Sequence, residues 1–171
     1  AGFVFWGGLM GGILGSVIVV LMKKESFAKI SDATAPGLAA AYSVGRSGCW
    51  AVGDDYGTPW NGPLAVAFPD GAPPSTVQNL VQQFGLKDYA DMPAQQVLAV
   101  HPTQLYETAL AFVIAWIGWR MLRGPRGKQA GRTALVVFAA LAVERFLVEF
   151  VRVKDDRLLA GMTVAQAISL A

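Results

Sequence analysis

The chain alternates long apolar segments with short polar ones, a pattern that is typical of helical membrane proteins. Residues 3–22 contain no charged side chain. At about 1.5 Å of rise per residue, a helix of this length matches the roughly 30 Å hydrocarbon core of a bilayer. Its glycines recur four residues apart, which favours close helix packing or, alternatively, a lipid head group against bare backbone. The sequence predicts a transmembrane helix here.

Further apolar segments predict helices at residues 30–44, 102–122 and 133–152, and residues 162–171 look like the start of a fifth helix. The segment 30–44 contains Pro36 and is expected to kink. Residues 50–100 are rich in Pro, Gly and Asp, and they predict an irregular head with a short strand at residues 64–68. The predicted organisation is therefore membrane helices in 1–49, a head loop in 50–100 and membrane helices in 101–171.

Basic residues cluster in two connections that are two crossings apart. They are Lys23, Lys24 and Lys29 in one connection, and Arg123, Arg126, Lys128 and Arg132 in the loop 123–132. The positive-inside rule places both connections in the cytoplasm and the head outside. The predicted fold is an all-α integral membrane protein, a multi-helix transmembrane bundle with a small extracytoplasmic head domain.

Composition agrees with this fold, since 54% of the 171 residues are hydrophobic and 15% are charged. The 14 basic and 12 acidic side chains nearly cancel, so the net charge gives no reason to expect a nucleic-acid partner. One cysteine and one histidine cannot form an internal disulfide or the usual zinc site. Because the sequence starts at Ala1 inside an apolar segment, we expect residues upstream of it rather than a signal peptide.

Residues 45–57, which read GRSGCWAVGDDYG, carry four glycines and predict a shaped loop. The segment contains the guanidinium of Arg46, the thiol of Cys49 and the adjacent carboxylates of Asp54 and Asp55. With Asp70, these carboxylates could offer oxygen ligands to a hard cation. Adjacent carboxylates in a glycine-rich loop are more often solvated or capping, so no metal site is predicted.

The last long apolar segment carries charges where lipid is expected, at Glu144, Arg145, Glu149 and Arg152. An ionised side chain costs at least about 2.5 to 3.5 kcal/mol at mid-membrane, so these groups must face protein, water or a charged ligand. Arg145 and Glu149 lie four residues apart on one helical face, and Arg152 follows a turn later. They form either a self-satisfied pair near the interface or a site where Arg145 binds a phosphate through its planar fork.

The segment HPTQLYE begins the helix predicted at residues 102–122. Pro102 suits a first helical turn, so His101 is expected at the outer mouth of the membrane. A lone histidine is usually a satisfied polar group, but it is also the side chain that is best placed to accept a proton near neutral pH. Its position near Arg46 and Arg145 favours the chemical role.

Together GRSGCWAVGDDYG, HPTQLYE and ERFLVEFVR, in this order and with a head-sized loop between the first two, resemble the prolipoprotein diacylglyceryl transferases. Members of this family are bacterial inner-membrane enzymes that move diacylglyceryl from phosphatidylglycerol to the lipobox cysteine of a prolipoprotein. The resemblance implies phosphatidylglycerol or a related phospholipid and a prolipoprotein signal peptide as partners, and it implies no cofactor. The family has seven transmembrane helices, so this sequence would lack about the first two.

The resemblance also assigns roles to individual residues. It implies that His101, Arg46 and Arg145 are catalytic, with both arginines on the lipid phosphate. The substrate-binding positions that it implies are Gly45, Gly48, Asp54, Gly57, Gln104, Tyr106, Glu107 and Glu149. The sequence departs from the family pattern at Trp6, Cys49, Trp50, Asp54 and Leu141. Trp6 replaces a family histidine, so His101 does the proton work or no such work is done.

Three functions remain open from the sequence. The first is an active diacylglyceryl transferase or a close variant with another lipid or thiol substrate. The second is a relative that keeps the lipid pocket as a structural subunit of a larger membrane complex, which the replacements at Trp6 and Cys49 favour. The third is a transporter or channel, since intramembrane charges also mark ion pathways, although no broken-helix repeat supports it.

Overall fold

The computed structural model describes residues 2–124, 129–153, 157–159 and 162–163. Within these residues the chain is mostly helical. The elements in chain order are α1 (Gly2–Lys23), α2 (Phe27–Val52), β1 (Val66–Ala67), α3 (Val77–Gln82), a 3-10 turn (Lys87–Tyr89), β2 (Ala99–Val100), α4 (Thr103–Arg123), α5 (Arg132–Val148), β3 (Arg157–Leu159) and β4 (Met162–Thr163).

Helices α2, α4 and α5 pack against one another through small residues. The core of this packing consists of Ala35, Ala39, Ala115, Ala134 and Val137. A Cβ atom added at Gly118 would meet Val137 Cγ2 at 2.6 Å and Pro36 Cγ at 3.0 Å, so only glycine fits there without a shift. Small side chains let helix backbones approach closely, which is how these three helices form one unit. Pro36, where the sequence predicts a kink, lies inside α2, and the helix continues on both sides of it.

Large apolar side chains cover the outside of all four long helices. Examples are Ile18 on α1, Leu38 on α2, Phe112 on α4 and Leu135 on α5, which are all more than half exposed. Among the described residues, α4 is the one helix that is long and apolar enough to cross a membrane, and the apolar stretch Met10–Lys23 of α1 is shorter. Exposed apolar surface on this scale marks contact with lipid or with another protein.

The predicted loop at residues 45–57 is wrong for its first eight residues, because α2 continues to Val52. Gly45 and Gly48 lie inside the helix, and of the four glycines in this segment only Gly53 has a positive φ, at 70°. The Gly53 N–H donates to Cys49 O and Trp50 O, which ends the helix with a left-handed glycine cap. The Ser43 hydroxyl also donates to Thr108 O at 2.8 Å and ties this part of α2 to α4.

The head between α2 and α4 has a small core of its own. Strands β1 and β2 pair antiparallel, with Val66 opposite Val100, which confirms a short strand in residues 64–68. The core consists of Tyr56, Phe68, Leu80, Val100 and Val153. Because Val153 follows α5, this core joins the head to the end of the last long helix.

Both ends of α5 are held by distant parts of the chain. At its start, the Asp32 carboxylate on α2 accepts the Gly131 N–H at 2.7 Å and the Ala134 N–H at 2.8 Å. Such a carboxylate satisfies free donors of a helix N-terminus. The helix ends at Val148, so the prediction that it reaches residue 152 is wrong. Arg152 instead forms a β-bridge with Gly57 in the head.

Two further predictions concern the C-terminal part of the chain: the fifth helix at residues 162–171 and the basic loop at residues 123–132. Strand β4 pairs antiparallel with β3, so the predicted fifth helix does not begin at Met162. The rest of that predicted helix, residues 164–171, lies outside the described residues. Arg126 and Lys128 of the basic loop also lie outside them, whereas Arg123 ends α4 and Arg132 begins α5.

Candidate functional site

Glu107 lies at the centre of a buried group of charges. It comes from the start of α4, and it has 0% of its surface exposed. One carboxylate oxygen accepts the Tyr42 hydroxyl at 2.8 Å, and the other forms an ion pair with Arg46. Arg145 Nη1 and Arg152 Nη1 lie 3.7 and 4.0 Å from Glu107 Oε1. Three arginines from α2, α5 and the segment after α5 therefore surround one carboxylate.

Each of these arginines also has a carboxylate partner outside Glu107. Arg46 Nη1 lies 2.9 Å from Asp55 Oδ2, and Arg152 pairs with the second oxygen of Asp55. Arg145 Nη2 lies 2.7 Å from Glu149 Oε2, one helical turn away. Three positive and three negative side chains thus balance. We call this set the arginine–carboxylate cluster: Arg46, Arg145, Arg152, Asp55, Glu107 and Glu149.

The loop that presents Asp55 is fixed by the first turn of α4. Asp55 has a φ of 55°, a left-handed conformation that is uncommon outside glycine. Its carbonyl accepts the Thr103 hydroxyl at 2.7 Å, and the Asp54 carbonyl accepts the Gln104 side-chain amide. Burial raises the pKa of Asp55, but Arg152 and Arg46 outweigh this and lower the pKa to about 2. Asp55 is therefore a carboxylate at neutral pH.

His101 lies on the head side of this loop. Its ring stacks on Trp60 with centroids 4.3 Å apart, and its Nδ1 lies 3.4 Å from the Tyr106 hydroxyl. Its backbone exchanges hydrogen bonds with Gly57 and Thr58. Burial lowers the pKa of His101, which favours the neutral imidazole, the form that accepts a proton. Its ring takes part in none of the ion pairs found among the described residues.

The three glycines that were predicted to bind substrate lie in two different environments. A Cβ atom at Gly57 would collide with Val151 O and would meet His101 Cβ at 2.7 Å, so the head, His101 and the segment after α5 converge there. Gly45 and Gly48 have nothing within 4 Å of such an atom. They lie on the exposed surface of α2, and no packing contact requires them to be glycine.

The structure brings together four of the predicted site residues: Arg46, Arg145, Glu107 and Glu149. Asp54, Gln104 and Gly57 lie in or against the adjoining loop, and His101 pairs with Tyr106 beside it. The roles of these residues stay predictions. The side chain of Trp6, at the position of the family histidine, lies outside the described residues.

Sequence reasoning missed four contributors to the site. Tyr42 precedes Arg46 by one helical turn, a spacing that could have signalled it. The sequence shows Asp55 as a carboxylate, but the family resemblance assigns substrate binding to Asp54 instead. Arg152 was expected on α5 rather than beyond its end. Glu144 was noted as a charge, yet its burial, with 4% of its surface exposed, could not be read from the sequence.

Apart from Arg46 Nη2, which forms the ion pair with Glu107, three buried N–H groups of the cluster have no hydrogen-bond acceptor among the described residues: Arg46 Nε, Arg145 Nη1 and Arg152 Nε. The distance of 3.7 Å from Arg145 Nη1 to Glu107 is too long for a hydrogen bond. Guanidinium groups donate planar forks that match phosphate oxygens, and a buried donor without an acceptor is costly. The arrangement can therefore bind an anion that supplies the missing acceptors.

A cation is a poorer fit at the same place. Ligand atoms of Cys49, Asp54 and Asp55 lie within 4.8 Å of one another, and Asp70 does not belong to this group. However, both Asp55 oxygens already pair with arginines, and Arg46 Nη1 lies 3.3 Å from Cys49 Sγ. A metal ion would have to displace guanidinium groups, so the chemistry of this donor set favours an anion.

Comparison with known proteins gives one consistent result. The family model described as prolipoprotein diacylglyceryl transferase matches residues 1–171. The chain is similar to phosphatidylglycerol–prolipoprotein diacylglyceryl transferase 2 of Clostridium perfringens, at 29% identity over 99% of the chain and 57% of the relative. It is 32% identical to the phosphatidylglycerol–prolipoprotein diacylglyceryl transferase of Burkholderia ambifaria, over 99% of the chain and 60% of the relative. The chain thus spans about three fifths of the length of these relatives.

Proposed function

The chain belongs to the prolipoprotein diacylglyceryl transferase family, and on that premise we propose that it transfers diacylglyceryl from phosphatidylglycerol to a cysteine thiol in the lipobox of a prolipoprotein. Two lines of support meet in this proposal. The names of the relatives specify phosphatidylglycerol and prolipoprotein as their substrates. The arginine–carboxylate cluster offers buried donors that suit the phosphate of such a lipid.

The proposed setting is the bacterial inner membrane, which α1, α2, α4 and α5 cross, with the head on the outer side. The exposed apolar side chains along these helices support this arrangement. At the far end of α4, Arg123 lies over the Trp119 ring at 4.1 Å from its centroid. Tryptophan and arginine are the residues that anchor helix ends at a membrane interface, and positive charge favours the cytoplasmic side.

In the proposed mechanism, Arg46 and Arg145 hold the lipid phosphate. Their free N–H groups, with that of Arg152, are the observation that carries the assignment. Because each guanidinium is already fixed by a carboxylate, the donors keep their direction before the lipid arrives. Preorganised donors of this kind stabilise charge that develops on the leaving phosphate.

The proton step falls to His101. A cysteine thiol with an unperturbed pKa near 8.5 is mostly protonated at neutral pH, and the thiolate is the nucleophile. Neutral His101 accepts the thiol proton, and the thiolate attacks the carbon of the diacylglyceryl group that is bonded to the phosphate oxygen. A C–S bond forms, the C–O bond breaks, and glycerol phosphate leaves with the electron pair. A positioned base contributes roughly 10² to 10⁴-fold to such a rate.

Replacing the arginines by lysine tests the anion site. We expect Arg46→Lys and Arg145→Lys to reduce diacylglyceryl transfer to a lipobox peptide by about 10²-fold, because a point charge cannot reproduce the fork. The assay uses the full chain in phosphatidylglycerol-containing bilayers. Arg123→Lys, at the exposed end of α4, is the matched control and should keep the parent rate. Full activity in Arg46→Lys and Arg145→Lys would remove the shared phosphate site.

Replacing His101 separates binding from chemistry. His101→Ala and His101→Gln should bind phosphatidylglycerol like the parent but transfer diacylglyceryl about 10² to 10⁴-fold more slowly. An active His101→Ala would remove the base and leave the arginine site standing. A parent chain that binds the lipid but transfers nothing would instead favour the role of a structural, lipid-binding subunit.

A further inference from the structure

Glu144 on α5 is a fourth carboxyl group beside the arginine–carboxylate cluster. Only 4% of its surface is exposed. Neither of its oxygens has a hydrogen-bond partner among the described residues. It therefore differs from Asp55, Glu107 and Glu149, each of which forms at least one ion pair with an arginine.

Charged and titratable groups on α2, α4 and α5 act on Glu144 electrostatically. Arg46 and Tyr42 on α2, Glu107 on α4, and its neighbour Arg145 on α5 all lie within electrostatic reach. The arginines in this set are already paired with other carboxylates. Glu144 therefore has no cation to itself, and Glu107 adds a like charge nearby.

The charge balance of the cluster decides the state of Glu144. Three arginines face three carboxylates without it, so an ionised Glu144 would add one uncompensated negative charge. An unpaired charge in a buried site costs several kcal/mol. A carboxyl group in such a place takes up a proton instead of bearing that cost.

We propose that Glu144 holds a proton whenever a phosphodiester occupies the arginines of the cluster, so that anion binding and protonation of Glu144 are linked. This inference rests on the anion site proposed above. A bound phosphodiester brings one more negative charge to a set that is already balanced, and it therefore favours the neutral form of Glu144. By reciprocity, the neutral form binds the anion more tightly than the ionised form.

The linkage fixes the direction of the pH effect. Lipid affinity is highest where Glu144 is already neutral, and it falls as rising pH ionises the free protein. Since one proton is involved, the fall is at most about tenfold per pH unit. His101 also titrates, on the head side of the site, so a variant is needed that removes the Glu144 contribution alone.

The test measures binding of a short-chain phosphatidylglycerol to the full chain in detergent, over about pH 5 to 9. The parent should lose affinity as pH rises. Glu144→Gln, which imitates the neutral acid, should keep high affinity across the upper part of this range. Glu25→Gln, at an exposed position between α1 and α2, is the matched control and should follow the parent.

Calorimetry in two buffers of different ionisation enthalpy counts the protons directly. At the upper end of the range, the parent should take up as much as about one proton per lipid bound, and Glu144→Gln should take up fewer. Equal pH dependence and proton uptake in the two proteins would overturn the linkage and leave the anion site intact. A parent that does not bind the lipid would overturn the anion site, and the linkage with it.

If the Glu144→Gln variant does not fold, an experiment on the parent protein alone still tests the proposal. Infrared difference spectra are recorded on adding the same lipid at the upper end of the pH range. A carboxylic acid C=O band that grows on binding and shifts in D₂O, as the ester C=O bands of the lipid do not, supports protonation of a carboxyl group. The absence of any change in that band overturns the proposal without the use of a substitution.

Discussion

Helices α2, α4 and α5 meet in two regions of opposite character. Near the head they bury the arginine–carboxylate cluster, in which several N–H and carboxylate atoms lack hydrogen-bond partners within the described chain. Farther from the head they meet through Ala35, Ala39, Ala115, Ala134 and Val137. The same three helices therefore hold a polar site with unmet bonding capacity at one end and a close-packed apolar contact at the other.

The difference indicates how the two regions depend on each other. Small residues bring the backbones close, so the apolar region sets the spacing of the helices. With the helix spacing set in this way, the side chains of the arginine–carboxylate cluster keep their orientations although some of their hydrogen-bonding atoms have no partner. Local rules of this kind are broken mainly at functional sites, where a ligand supplies what the protein lacks. The close-packed region is thus a scaffold, and the cluster is what it positions.

The largest expected loss of stability comes from a substitution at Glu107, the centre of the arginine–carboxylate cluster. Glu107→Gln removes the carboxylate that three arginines share, and breaking a buried ion pair in this way costs about 3 to 5 kcal/mol. The measurement is the free energy of unfolding in detergent by chemical denaturation. Glu25→Gln serves as the exposed control and should stay within about 0.5 kcal/mol of the parent. A Glu107→Gln protein as stable as that control would mean that the arginines do not depend on Glu107.

A smaller effect is expected in the apolar region. Gly118→Ala places a Cβ atom 2.6 Å from Val137 Cγ2, and overpacking of this kind costs about 1 to 3 kcal/mol. Better helix propensity returns up to about 1 kcal/mol. Gly45→Ala is the matched control, since nothing lies within 4 Å of its added atom, and it should be neutral or slightly stabilising. Equal stability of the two variants, again by denaturation, would contradict the close contact of the three helices.

The smallest expected effect is the pH dependence of stability that comes from Asp55 in the arginine–carboxylate cluster. Arg152 and Arg46 lower the pKa of Asp55 from 3.8 to about 2, so the stabilising ion pairs are fully present above the unfolded value. Their contribution is lost as pH falls through about 2. The stability difference between the parent and Asp55→Asn should therefore be constant between about pH 5 and 8. A difference that changes within that range would show that another group carries the titration.

Much of the helical framework could be predicted from the sequence, because apolar runs of helical length are a strong signal. The prediction of a loop at residues 45–57 is wrong for residues 45–52, because four glycines close together resemble a helix break although the first two are helical. Only Gly53 has the positive φ that ends α2. Gly45 and Gly48 remain helical, since helix-stabilising contacts such as the Ser43 bond to Thr108 come from tertiary packing.

Motifs single out Arg46, Arg145 and Glu107, and the structure places these three side chains together, while their roles stay predictions. The site was not predictable where chain segments far apart in sequence decide the contact. Arg152 reaches Asp55 because α5 ends at Val148 and the chain then returns to the head. The unpaired state of Glu144 also depends on the packing of three helices, which no local pattern records.

The cap that Asp32 places on α5 has a consequence for biogenesis. The carboxylate precedes the two N–H groups that it accepts by 99 and 102 residues, so it has been synthesised well before α5 exists. In an α5 inserted in the reverse direction, Gly131 and Ala134 would lie at the opposite end of the helix from Asp32. Such a chain would lose both hydrogen bonds and leave the buried Asp32 carboxylate without these two donors. In the membrane arrangement proposed above, the Asp32 cap is therefore available only to an α5 that begins at the same end of the bundle as Asp32.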